Sequence, residues 1–189
     1  WVETISAPEE YRAAAEAAAL ADMAWCGTMS FDTAGRTMMG VTSSDLAALA
    51  DRLDPAPVAF GANCGVGASD LLRTILGFRA AGTERPVIAK GNAGIPKYVD
   101  GHIHYDGTPE LMARYAVLAR DCGARIIGGC CGTLPEHLRQ MRAALETAPV
   151  SDAPSLELIA ADLGAFSSGS DGTGEAAPAR RERRGRRRG

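Results

Sequence analysis

The sequence predicts an α/β protein built on a parallel sheet. Short, almost continuously apolar runs of strand composition alternate five times with helical patterns, at a period of roughly 25 to 40 residues. Each apolar run also exits into glycines or polar residues before the next helix begins. The composition of the 189 residues, 46% hydrophobic and 5% aromatic, suits one helix-rich domain with a substantial core. Two architectures satisfy this pattern, an open doubly wound sheet or part of a (β/α)8 barrel. In both, chemistry gathers at the C-terminal ends of the strands.

In chain order, Trp1-Val2-Glu3-Thr4-Ile5 has strand composition. Ser6-Ala7-Pro8-Glu9-Glu10 then opens a helix, with proline in the first turn and carboxylates at the positive end of the dipole. An alanine-rich run continues it to Leu20, and Met23 to Phe31 reads as the second strand. Thr42-Ser43-Ser44-Asp45 caps a helix reaching Leu53. Pro57 to Cys64 is a short buried strand, after which Ser69-Asp70 opens a helix whose Leu71, Leu72, Ile75, Leu76 and Phe78 fall at helical spacing. Pro86 to Lys90 is the fourth strand, with the loop Gly91-Asn92-Ala93-Gly94-Ile95-Pro96 beyond it. A long loop leads to Thr108-Pro109-Glu110, which caps the helix carrying Met112, Tyr115, Ala116 and Leu118. Arg125 to Gly129 is the fifth strand, and the last helix runs from Leu134-Pro135-Glu136 to Glu146.

From Pro149 the alternation stops, so residues 1–149 are expected to form the folded body and 150–189 a low-complexity, disordered tail. One short helix is allowed within 156–166. Residues 180–189 hold seven Arg and one Glu, a charge of +6 within a total of −3, which leaves −9 on residues 1–179. The body is therefore acidic and only the tail basic. Without aromatic interleaving, that tail reads as solvated, and no nucleic-acid partner is expected.

The chain opens at Trp1, already inside a strand, and is expected to be a fragment lacking its N-terminal portion. No charged region followed by an apolar stretch marks a signal peptide. No apolar run approaches the roughly 20 residues of a bilayer span, so no membrane association is expected. Cys26, Cys64, Cys122, Cys130 and Cys131 make an odd number of cysteines, which favours reduced thiols in a cytoplasm over a disulfide framework.

Two of these cysteines are adjacent, in Gly128-Gly129-Cys130-Cys131-Gly132-Thr133 directly after an apolar strand. A disulfide between neighbours is a strained ring, whereas one metal ion can accept both sulfurs if the backbone turns between glycines. If neighbouring strands end on one face, Cys64 joins the pair across 66 residues of sequence. Three thiolates suit zinc and leave a fourth position open, the pattern of a catalytic site. Against this stands the plain reading of Cys64 as a small core residue, since free cysteine is among the most buried residue types. Cys26 and Cys122 read as core or surface thiols. His102-x-His104 could ligate a metal but has no partner pair, and His137 reads as a helix-surface residue. The Gly91-Asn92-Ala93-Gly94 turn lacks the dinucleotide fingerprint and could instead cradle a small polar ligand.

Gly61-Ala62-Asn63-Cys64, the Gly91 to Pro96 loop and Gly128 to Thr133 together resemble the homocysteine S-methyltransferase domain, from Trp1 to about Ala148. That family includes betaine-homocysteine methyltransferase and the homocysteine-binding module of cobalamin-dependent methionine synthase. The resemblance implies a (β/α)8 TIM barrel, of which residues 1–149 would hold about five C-terminal βα units. Such an arc, with two sheet edges uncovered, is expected to aggregate or to need its other strands. The resemblance further implies that Cys64, Cys130 and Cys131 bind Zn2+, that Glu3 binds the amino acid part of homocysteine, and that Asn92 receives its amino and carboxylate ends. The implied partners are homocysteine and a methyl donor, in methionine biosynthesis. Betaine, S-methylmethionine, S-adenosylmethionine and corrinoid- or folate-borne methyl groups serve the wider family. A homo-oligomer is compatible with this reading. The alternatives are a homocysteine-binding module of a cobalamin-dependent methionine synthase, and a non-catalytic zinc-binding protein in which His102 or His104 closes the site.

Overall fold

Five parallel strands hydrogen-bond in the order in which the chain makes them. The computed structural model describes residues 1–95, 97–99 and 101–174. Its strands are β1 (Val2–Ile5), β2 (Cys26–Met29), β3 (Ala59–Cys64), β4 (Val87–Gly91), β5 (Lys97–Val99), β6 (His102–His104) and β7 (Ala124–Gly129). The helices are α1 (Pro8–Leu20), α2 (Ser43–Arg52), α3 (Ala68–Ala80), α4 (Pro109–Asp121), α5 (Pro135–Thr147) and α6 (Leu156–Leu163). The sheet runs β1-β2-β3-β4-β7, while β5 and β6 form a separate antiparallel pair. A doubly wound sheet requires a reversal of strand order, and none occurs. Right-handed crossovers taken always in one direction place the helices on one face and curve the sheet. The fold is therefore an arc of a (β/α)8 barrel, five βα units long.

Local chemistry sets the element boundaries. Pro8 and Pro109 occupy first helical turns, where a missing N–H costs nothing. The Thr42 hydroxyl accepts the Asp45 N–H at 3.1 Å, and the Asp45 carboxylate accepts the Thr42 N–H at 3.0 Å, closing a capping box on α2. Between sheet and helices, Phe78 of α3 meets Phe60 edge-on at 5.1 Å and Phe31 at 5.8 Å, all three being buried. Each such ring contributes about 1.5–3 kcal/mol through burial. Gly61 allows β3 to approach β4, because a Cβ there would stand 2.0 Å from the Ile88 carbonyl oxygen. No helix among the described residues is long and apolar enough to cross a membrane.

Two segments depart from expectation. The long loop before α4 contains the β5–β6 pair, in register Lys97 to His104 and Tyr98 to Ile103. Its residues are exposed on both faces, so hydrophobic alternation gave no sign of it. The second departure is the segment 150–174, which is held against the body instead of lying free. Ile159 of α6 is fully buried in the core, and Arg114 pairs with Asp162 at 2.6 Å. Beyond α6, the buried Asp70–Arg73 ion pair takes the Ser167 N–H at 2.9 Å and the Ser168 carbonyl at 2.8 Å. Arg73 also lies 4.6 Å from the Phe166 ring centre. The physical reason is that buried charges need additional hydrogen bonds, and a run of small residues offers its backbone to them. The Arg-rich end lies outside the described residues.

Candidate metal centre

Cys64 ends β3 and Cys130-Cys131 follow β7, so β4 alone separates their strand ends. The three sulfurs lie within 4.8 Å of one another, the only such group of three or more potential ligands among the described residues. Cys64 Sγ is 3.9 Å from Cys131 Sγ, which is 4.0 Å from Cys130 Sγ. A tetrahedral zinc with bonds of about 2.3 Å holds its sulfurs about 3.8 Å apart, so the donor set fits that ion. Burial pushes the Cys64 thiol up to about 11; the Asn92 side chain opposes the rise, and the neighbouring Cys130 and Cys131 add to it. Sulfurs at this spacing become thiolates together only when a cation offsets their repulsion.

The backbone is bent to bring them together. Cys64 has a φ of 60° and Thr4 a φ of 65°, the left-handed region that side chains other than glycine rarely adopt. Strain of this kind persists only where surrounding contacts hold it. Here the clamp is Asn63, fully buried on β3. Its Oδ1 accepts the Thr4 N–H at 2.8 Å and the Thr28 hydroxyl at 2.6 Å, while its Nδ2 donates to the Thr4 hydroxyl at 2.7 Å and points to Cys130 Sγ at 3.7 Å.

Asn92 forms a second clamp between the two halves of the ligand set. Its Oδ1 accepts the Cys131 N–H at 3.1 Å and its Nδ2 donates to the Gly65 carbonyl at 2.9 Å, with the residue 1% exposed. Backbone bonds from Cys130 N–H to Gly91 O at 2.8 Å and from Ala93 N–H to Cys131 O at 2.9 Å complete the splice. The Thr133 hydroxyl, packed over Gly129, is buried without a hydrogen-bond partner among the described residues.

Glu3, on β1, forms an ion pair with Lys90 of β4, and the same carboxylate oxygen accepts the Trp1 indole N–H at 3.2 Å. The Lys90 hydrogen bond holds the Glu3 carboxyl below its ordinary pKa, with Trp1 assisting against partial desolvation. Tyr105 packs its ring over Gly132, where a Cβ would come 2.3 Å from the ring.

The other sequence candidates sit elsewhere. Cys26 is half-buried at the first residue of β2, and Cys122 is buried at the C-terminus of α4. His102 and His104 are exposed on β6, and neither belongs to the sulfur group. His137 is buried rather than on the surface: its Nδ1 accepts the Leu134 N–H at 2.9 Å and its Nε2 lies 2.9 Å from the Gly107 carbonyl, to which it donates. The imidazole thus caps α5 and ties it to the loop before α4. Lys90 reads from the sequence as an ordinary strand-end lysine, and its pairing with Glu3 carries no sequence signal. Asn63 was visible only as a polar residue beside Cys64.

A sequence profile described as homocysteine S-methyltransferase matches residues 1–145. Among solved structures, the homocysteine methyltransferase MmuM from Escherichia coli, in its oxidized form, is similar at 26% sequence identity with a TM-score of 0.55. That match covers 75% of this chain and 44% of MmuM, so the chain spans less than half the length of that enzyme.

Proposed function

The chain belongs to the homocysteine S-methyltransferase family, and from that premise we propose that it is a zinc-dependent enzyme converting homocysteine to methionine, with betaine as donor. The observation that carries the reading is the convergence of Cys64, Cys130 and Cys131 within 4.8 Å, with Cys131 at tetrahedral spacing from each of the other two sulfurs. Zinc bound there would supply the positive charge that removes the proton from a substrate thiol. Without such help, a thiol with a pKa of about 8.5 is only a few per cent thiolate at neutral pH.

The protein's own groups orient the reactants. Glu3, held ionised by Lys90, offers a carboxylate to the substrate's ammonium. Asn92, at the loop between the two halves of the cluster, spends both its amide oxygen and its amide nitrogen on holding the Cys131 and Gly65 backbones, and so keeps the sulfurs in register instead of meeting the substrate's polar end. The sulfur lone pair attacks a methyl carbon in line, the S–C bond forms as the C–N bond of betaine breaks, and dimethylglycine leaves with the electron pair. Betaine is chosen as donor because the family includes betaine-homocysteine methyltransferase. Five free cysteines support a reducing cytoplasmic setting.

The test supplies the zinc-loaded full chain with homocysteine and, in parallel, betaine, S-methylmethionine or S-adenosylmethionine. Methionine and dimethylglycine in equal amounts, lost with a chelator, are expected from the betaine arm. Methionine from another donor alone would replace betaine, and methionine from none would refute the activity.

A further inference from the structure

Lys90 places a cation on the face of the sheet opposite the helices. Val87 and Ala89 of the same strand pack into the core with the helices, so strand alternation turns Lys90 the other way. It lies in register with Asn63 on β3 and Gly128 on β7, and a Cβ on Gly128 would stand 3.5 Å from the lysine Cγ. Gly128 sets no side chain against the lysine stem. Its ammonium pairs with Glu3 and stands 5.4 Å from the Trp1 ring centre. Both contacts to Glu3 fall on Oε2; among the described residues, Oε1 has no hydrogen-bond partner.

The pair is tied closely to the thiols. Thr4, next to Glu3, is bonded to Asn63, whose amide points to Cys130. Gly91, next to Lys90, accepts the Cys130 N–H. A small amino acid whose sulfur joins the three cysteines carries its ammonium and carboxylate a few carbon bonds from that sulfur, the two charges that complement this carboxylate and this ammonium. The Lys90 and Glu3 side chains are 21% and 40% exposed, and ion pairs between partly exposed partners are weak, so this one opens at small cost.

We propose that Lys90 binds the α-carboxylate of the substrate while Glu3 takes its α-ammonium, the internal ion pair opening into an alternating ring of four charges. This rests on the reading of the site as homocysteine-binding. Lysine suits the role as a compact charge on a flexible stem. Lys90 thereby selects α-amino acid thiols over thiols that carry only an amine.

Calorimetric titration of the zinc-loaded full chain with homocysteine and with 3-aminopropane-1-thiol, which lacks the carboxylate, tests this. Lys90→Met should weaken homocysteine binding about tenfold or more, leave the carboxylate-free thiol within about twofold, and so erase the preference between them. Lys90→Arg, which keeps the charge, should retain most of that preference. Equal weakening of both ligands in Lys90→Met, or unchanged homocysteine binding, would overturn the assignment while leaving the methyltransferase reading in place. Failure of the wild type to bind either thiol would overturn both.

Discussion

Asn63 directs its amide to the sulfur of Cys130 at 3.7 Å, across 67 residues of sequence. The same side chain holds the strained Thr4 and the Thr28 hydroxyl, so one buried amide couples three strand ends to the ligand set. Groups that orient ligands in this way tune metal affinity without touching the metal.

Asn63→Ala should therefore lower zinc affinity by about 10–100-fold, measured by competition with a chromogenic chelator. It should also destabilise the fold by about 1–3 kcal/mol, because the Thr4 N–H and Thr28 hydroxyl lose their partner. Unchanged zinc affinity would remove Asn63 from the site.

Asn92→Ala should release Cys131 from the Gly65 loop, since one side chain bridges both. The expected result is weaker zinc retention by about tenfold or more, together with a raised KM for homocysteine in zinc-saturated protein. A raised KM with zinc affinity intact would limit Asn92 to the substrate.

Gly132→Ala should disrupt the turn that aims the cysteine pair. Its φ is +75°, and a Cβ there would meet Tyr105 at 2.3 Å. Gly40, with a φ of +85° and open space around it, provides the comparison. Gly40→Ala should cost only the backbone term, about 1–2 kcal/mol, with zinc content unchanged. Gly132→Ala should lose zinc as well, read by metal analysis after gel filtration.

Burial raises the Cys122 thiol to about 12, with Asp121 adding to the rise. The folded state thus holds this proton more tightly than the unfolded chain, whose thiol titrates near 8.5. The resulting stability is fully present below about pH 8.5 and is lost as the pH rises towards 12. Urea midpoints at pH 8 and 10.5 should fall further in the wild type than in Cys122→Ala, by up to about 2–3 kcal/mol of unfolding free energy. Equal losses would show that Cys122 does not drive the alkaline transition.

The strands and helices of the arc were legible because parallel strands are nearly continuous apolar runs and because Thr42, Thr108 and the helix-initiating prolines announce helix starts. The convergence of Cys64, Cys130 and Cys131 was legible because glycines around adjacent thiols have few other uses. What periodicity could not carry were relations set by tertiary contact. His137 has the spacing of a surface position, yet it turns inward to satisfy the Leu134 N–H and the Gly107 carbonyl. The β5–β6 pair has no buried face to pattern. Asp70 and Arg73 read as helix-surface charges until the segment after α6 covers them. Lys90 and Glu3 are 87 residues apart and meet only because β1 and β4 share one curved sheet.

The convergence of Cys64, Cys130 and Cys131 on one ion is tested most directly by zinc content and methionine formation in the full chain and in Cys130→Ser. One zinc per wild-type chain, with both zinc and methionine formation lost in the variant, is the predicted result. Full zinc occupancy with undiminished methionine formation in Cys130→Ser would contradict it.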